Sequence, residues 1–214
     1  PASPVGSGED VTETRPVEGF ACIDLRGMGE VIITVDGTES LTIEAEDNII
    51  DDLTSEVRSG TLILGTDRPI RPTEDIIFTV TMQALEAIEI SRRVSDKVGG
   101  FATGVVEVVG RGSGAANVSD IVSDTVLARI SGSGAISISG DTDELDLSIS
   151  GSGAFDGEEL EADTGDVNIS GSGSATVNVS EDLDANISGS GNVEYLGNPN
   201  VSVDTSGSGN VSRR

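Results

Sequence analysis

Gly-Ser-Gly recurs six times in the second half of the chain, beginning at Gly112, Gly132, Gly151, Gly171, Gly189 and Gly207. The nearly constant interval, about 19 residues, marks a repeat architecture rather than a set of flexible linkers. A further copy at Gly6 has no apolar alternation before it and falls in an N-terminal arm, residues 1–16.

The flanks of each copy alternate with period two. Leu147, Ile149, Gly151, Gly153 and Phe155 share one parity, while Asp146, Ser148, Ser150 and Ser152 share the other. The register returns at Ile169, Gly171, Gly173, Ala175, Val177 and Val179, and again at Ile187, Gly189, Gly191, Val193 and Tyr195. Such alternation means extended chain with one buried face. The structural glycines are therefore Gly112, Gly114, Gly132, Gly134, Gly151, Gly153, Gly171, Gly173, Gly189, Gly191, Gly207 and Gly209, on the inward parity. On the outward parity Ser131, Ser133, Ser150, Ser152, Ser170, Ser172, Ser188, Ser190, Ser206 and Ser208 form two hydroxyl ladders.

A repeat of about 19 residues is too short for a helix–turn–helix unit and shows no 3.6-residue pattern. It suits one coil of an all-β parallel β-helix, with coils stacked at ~4.8 Å. Upstream, Ile23, Leu25, Gly27, Gly29, Val31, Ile33 and Val35 repeat the parity, and Ile88, Ile90, Arg92 and Val94 do so again. Arg92 stands one repeat length before Gly112, and the stretch from Gly27 to Arg92 has room for about three more coils. Segments 40–46, 61–65 and 76–82 are strand-like and can supply them. The expectation is nine or ten rungs and a rod of roughly 45 Å. Segment 67–75, with two prolines, reads as a loop, as does 98–104. The register resumes on both sides, so residues 1–214 read as one domain, most regular over 112–214.

Aromatic residues make up only 2% of the chain, so a thin core of Val, Ile, Leu, Ala and Gly is the only one available. The formal charge is −26, and Lys97 is the one lysine beside eleven arginines. Nucleic acid and anionic membrane surfaces need a basic footprint and are poor partners for such a chain. Two environments fit the acidity: high salt, where surface charge is screened, or ordinary secretion. With no histidine, His-based catalysis and His-ligated zinc are excluded. Cys22 is the sole cysteine and reads as a buried structural thiol. No apolar run reaches the ~18 residues of a membrane span. The sequence begins at Pro1 rather than Met, so removal of an upstream secretory or lipid-anchor segment is expected.

The opening stretch from Gly6 to Asn48, with Arg15-Pro16-Val17 and Gly19-Phe20, the later Val-Arg-Ser-Gly-Thr-Leu-Ile-Leu, and the Ser-Gly-Ser-Gly run together resemble the head GIN domain family of auto-transporter adhesins. The resemblance spans Gly6 to Arg213. It implies a right-handed parallel β-helix on an exported or lipid-anchored surface protein, an adhesin role and no catalytic residues. The chain departs from the family pattern at 90–96. It departs again at Ala115, Ala135 and Ala154, where the family commonly has an acidic or amide residue; Asn192 and Asn210 keep the amide.

Candidate chemistry is sparse. Asp141, Asp143 and Glu144, then Asp156, Glu158 and Glu159, then Asp163 and Asp166 lie near turns and read as solvated loops, with no basic partners to make a lyase or hydrolase. Neither a calcium β-roll repeat nor an EF-hand loop is present, leaving only weak, delocalised divalent cation binding and no cofactor. The serine ladders could order water, although close stacking with hydrogen bonds between neighbours is the simpler reading. Six Asn-x-Ser sequons start at Asn117, Asn168, Asn178, Asn186, Asn200 and Asn210. They are either glycan acceptors or a by-product of Val/Ile-x-Ser strands. The resulting expectation is a non-enzymatic adhesion or assembly module, extracellular or on the cell envelope, homo-oligomeric, with a surface glycan or protein as ligand. A polysaccharide-active enzyme and a plain structural spacer are the alternatives.

Overall fold

The computed structural model describes residues 3–35, 38–83, 87–90, 97–99, 101–113 and 115–214. Its strands join into one 17-stranded sheet. The first nine are β1 (Asp10–Arg15), β2 (Cys22–Leu25), β3 (Glu30–Val35), β4 (Ser40–Glu46), β5 (Leu53–Arg58), β6 (Thr61–Thr66), β7 (Ile77–Met82), β8 (Ala87–Ile90) and β9 (Lys97–Gly99). The long strands β10 (Phe101–Gly112), β11 (Ala115–Gly132), β12 (Ala135–Gly151), β13 (Ala154–Gly171) and β14 (Ser174–Gly189) follow, and then β15 (Asn192–Leu196), β16 (Asn200–Gly207) and β17 (Asn210–Arg213).

From β10 onward the chain is a parallel β-solenoid of about six turns. Neighbouring coils pair residue on equivalent residue, so that Ala128, Leu147, Val167 and Ala185 form one inward column. Ile130, Ile149, Ile169 and Ile187 form another, each only 2% exposed. Stacked β-branched and leucine side chains thus supply a continuous apolar core that no single coil could close.

The nine or ten successive coils expected from the sequence are corrected to about six. The N-terminal residues spend their length on antiparallel pairing instead. β5 and β6 form a hairpin, and β4 pairs antiparallel with both β1 and β7. The parallel ladder does continue into this half, but out of chain order: β2 lies between β6 and β8, and β3 between β7 and β9. Two smaller expectations also change. Residues 10–15 are no free arm but the strand β1, registered from Asp10 opposite Glu46 to Arg15 opposite Leu41. Arg15 anchors it by donating to the carbonyl oxygens of Leu53 (2.6 Å) and Ile50 (3.0 Å). Segment 98–104 is largely strand rather than loop, because Val98 has a parallel partner on each side, Ile33 and Val118. Segment 67–75 is non-strand apart from the bridge of Arg71 with Val5. Cys22 is half-buried rather than buried. Arg92 and Val94, expected to carry the repeat register, lie outside the described residues.

One carboxylate fastens this N-terminal half. Glu46, at the end of β4, is 0% exposed. It accepts hydrogen bonds from the Thr73 hydroxyl (2.5 Å), the Thr73 amide (3.0 Å) and the Gly8 amide (2.7 Å). The Thr73 hydroxyl bond, assisted by the amides and opposed by burial, holds its pKa below the ordinary carboxylate value. The folded state therefore prefers the charged form. Its contribution is complete above the unfolded pKa of about 4.3 and is lost as pH falls through the lower folded value. Acid-induced loss of thermal stability is expected to be steeper in wild type than in Glu46→Gln, measured as melting temperature between about pH 5 and pH 3.

Candidate functional site

Each coil turns a corner at its Gly-Ser-Gly. The first glycine adopts a left-handed conformation, with φ of 116° at Gly132, 119° at Gly151 and 123° at Gly171. Its carbonyl accepts the amide of the serine one coil on: Ser152 to Gly132, Ser172 to Gly151 and Ser190 to Gly171, all 2.8 Å. The second glycine is buried at Gly134, Gly153, Gly173 and Gly191, and its carbonyl takes the next coil's amide in the same way, as from Ala154 to Gly134 at 2.9 Å. Gly114 lies outside the described residues. The corner is thus a stack of backbone hydrogen bonds too tight for any side chain, and it fixes which residues face out beside it.

Two outward columns flank the corner. Ser131, Ser150, Ser170, Ser188 and Ser206 are in register and all exposed. Ser133, Ser152, Ser172, Ser190 and Ser208 follow at the bend, also exposed. Two residues before the first column runs another: Arg129, Ser148, Asn168, Asn186 and Asp204. Over four coils this column and the first serine column line a shallow open groove of about 420 Å³. The sequence sets Ser148 on the face of Ser150 and Ser152, but the reading of the ladders left out Asn168, Asn186 and Asp204 as their companions, although the i, i+2 rule places them on the same face.

The serines were expected to bond one another, and they do not. Among the described residues none of the ladder hydroxyls has a protein hydrogen-bond partner. In-register backbones stand ~4.8 Å apart, so a hydroxyl–hydroxyl bond forms only where the side chains lean together, as Ser123 and Thr142 do at 3.2 Å, and the ladder serines do not. The hydroxyls therefore stand as a regular array of unspent donors and acceptors. Asn168 is partly engaged, its amide donating to Asp166 at 2.6 Å. The neighbouring outward column, Asp146, Asp166 and Asp184, gives this edge of the face a negative border.

The carboxylates fall elsewhere. Asp141 and Asp143 meet Glu161 and Asp163 in a second groove of about 480 Å³, together with Asn178 and Ser180. Glu161 was not among the sequence candidates. It arrives through a register shift between Ser137 and Gly140 that aligns Asp141 with Glu161. Asp156, Glu158 and Glu159 line a third groove with Asn117 and Ser137, of about 490 Å³. Glu144 and Asp166 line none of these three grooves. Among the described residues no group of three or more acidic, cysteine or histidine side chains is arranged to hold a metal ion. None of the described helices is long and apolar enough to cross a membrane.

Comparison with known proteins places this geometry. No curated protein matches the sequence. A putative adhesin from Bacteroides fragilis NCTC 9343 superposes with a TM-score of 0.91 at 24% identity, over 98% of this chain and 99% of that one. A putative lipid binding protein from Parabacteroides distasonis ATCC 8503 superposes with a TM-score of 0.75 at 23% identity, covering 98% of each chain. A putative adhesin from the same organism gives 0.75 at 21% identity over 100% of each. At these identities the likeness establishes the fold. The family model described as "Putative auto-transporter adhesin, head GIN domain" matches residues 19–199, and the chain belongs to that family.

Proposed function

We propose that this chain is a non-enzymatic adhesion module, exported or held at the cell surface, which meets a neutral glycan through its serine and asparagine face. The observation that carries the reading is the unpartnered hydroxyl array along the groove. Those groups are exposed, regularly spaced and held on a rigid scaffold, so they lose little freedom on binding. A chain of charge −26 with Asp166 and Asp184 bordering the groove repels polyanions, and the hydroxyls and amides that line the groove favour an uncharged, polyhydroxylated ligand over a cationic one. Family membership and the naming of its structural neighbours as adhesins support a surface role without chemistry. Individually weak hydroxyl contacts gain from repetition, and self-association of the domain would raise avidity further.

A glycan array combined with a polysaccharide-degradation screen tests this directly. Binding without turnover is expected; measurable turnover sinks the non-enzymatic reading. The double variant Ser170→Arg/Ser188→Arg is expected to bind at least about tenfold more weakly, a change of about 1.4 kcal/mol, with an unchanged melting temperature. Undiminished binding by that variant would move the ligand off this face.

A further inference from the structure

We propose that the chain is N-glycosylated at Asn117, Asn200 and Asn210. Six of its nine asparagines begin Asn-x-Ser tripeptides, with Val or Ile and never Pro in the middle. If the tripeptide were only a by-product of the coil, its asparagine would return to one column of the stack, as the ladder serines do. Asn168 and Asn186 do share a column. The other four are scattered. Asn117 aligns with Ser137, Asp156, Thr176, Glu194 and Ser212. Asn178 aligns with Glu161 and Leu196. Asn200 aligns with Asp182, Thr164 and Glu144, and Asn210 with Asn192 and Ser174. Six sequons thus occupy five columns. Asn192 shows the contrast: it shares the column of Asn210 but is followed at the third position by Glu194, so packing in that column asks for no serine. The tripeptide recurs independently of coil position, so no one column of the stack demands it, and the alternation that permits it does not require an asparagine at its start.

The geometry suits an acceptor. On an extended strand the asparagine and the residue two further on project from the same face, placing amide and hydroxyl side by side. Asn117, Asn200 and Asn210 are exposed. The side-chain amides of Asn117 and Asn210 have no hydrogen-bond partner among the described residues, and that of Asn200 makes one surface bond to Asp182 at 3.0 Å. Asn178 is half-buried and donates to the Glu158 carbonyl at 3.4 Å, which sets it apart. The donor is an oligosaccharide joined through C1 to a polyprenyl phosphate or pyrophosphate carrier. The side-chain Nδ2 bonds to C1, the C1–O bond to the carrier phosphate breaks with its electron pair leaving on that oxygen, and the amide releases one proton. No oxidant or reductant is involved.

The test uses protein purified from the cells that make it. Intact mass is compared before and after enzymatic release of N-linked sugar, and peptides cut at acidic residues are sequenced by electron-transfer mass spectrometry. Sugar increments are expected on the peptides carrying Asn117, Asn200 and Asn210. Ser119→Ala, Ser202→Ala and Ser212→Ala, made in the same cells, should each keep the asparagine yet lose one increment, while Ser202→Thr retains it. Recovery of all three peptides unmodified overturns the proposal, as do increments that survive the Ser→Ala changes. An increment on Asn168 or Asn186 supports modification of the chain but covers the groove and overturns the binding face; an unmodified chain that still binds glycan does the reverse.

Discussion

Gly151→Val is expected to melt roughly 8–16 °C below wild type, from a loss of about 4 kcal/mol. Two causes act at one atom. Gly151 sits at φ 119°, a conformation that a β-branched residue adopts only under strain. A Cβ there would lie 2.5 Å from the carbonyl oxygen of Gly132 on the preceding coil, so the backbone itself must move. That oxygen already accepts the Ser152 amide at 2.8 Å, and the displacement breaks the corner's hydrogen bond as well. Thermal unfolding followed by far-UV circular dichroism reads the result, and Gly171→Val should behave alike because it meets Gly151 in the same way. Melting unchanged from wild type would show that the corner yields freely and that its glycines are not required.

Phe78→Ala is the second large effect, an expected loss of about 3–5 kcal/mol. Phe78 is 1% exposed on β7, with Val31 of β3 in parallel register on one side and Ile43 of β4 in antiparallel register on the other. It therefore joins the parallel ladder to the antiparallel strands, and neither of these register partners carries a ring that could move into the space. Chemical denaturation should show a lower midpoint. Phe78→Leu, which leaves a smaller cavity, should fall between the two. A midpoint within error of wild type for Phe78→Ala would contradict the packing described.

These two sites also mark how far the fold could be read from residues alone. Around Gly151 the sequence states one rule repeatedly: inward Ile and Leu, outward Ser and Asp, and a bend once in every repeat. Parallel stacking follows because equivalent residues can pair only in register. Around Phe78 the same alternation appears in segments 40–46 and 76–82, yet these strands pair antiparallel. Period two reports which face is buried and carries nothing about strand direction, so hairpins and coils looked alike and the coil number was set too high. The serine face was legible for the matching reason, since its columns repeat. That its hydroxyls leave one another unbonded depends on how the side chains lean across the stack, and the meeting of Asp141 with Glu161 depends on a register shift; neither is a property of local sequence.

The out-of-order stacking of the N-terminal strands divides the molecule into two kinds of contact. β2 is gripped between β6 and β8, both far further along the chain, so its rung closes only once everything up to Ile90 is present. The contacts of that block are distant in sequence, the kind that is slow to form. From β10 onward each coil lies against the one before it, a contact between nearer neighbours in sequence that repeats along the stack. Coils removed from the far end are expected to shorten the stack and spare the N-terminal block, whereas loss of β8 and β9 takes away the edge against which β10 and β11 pair.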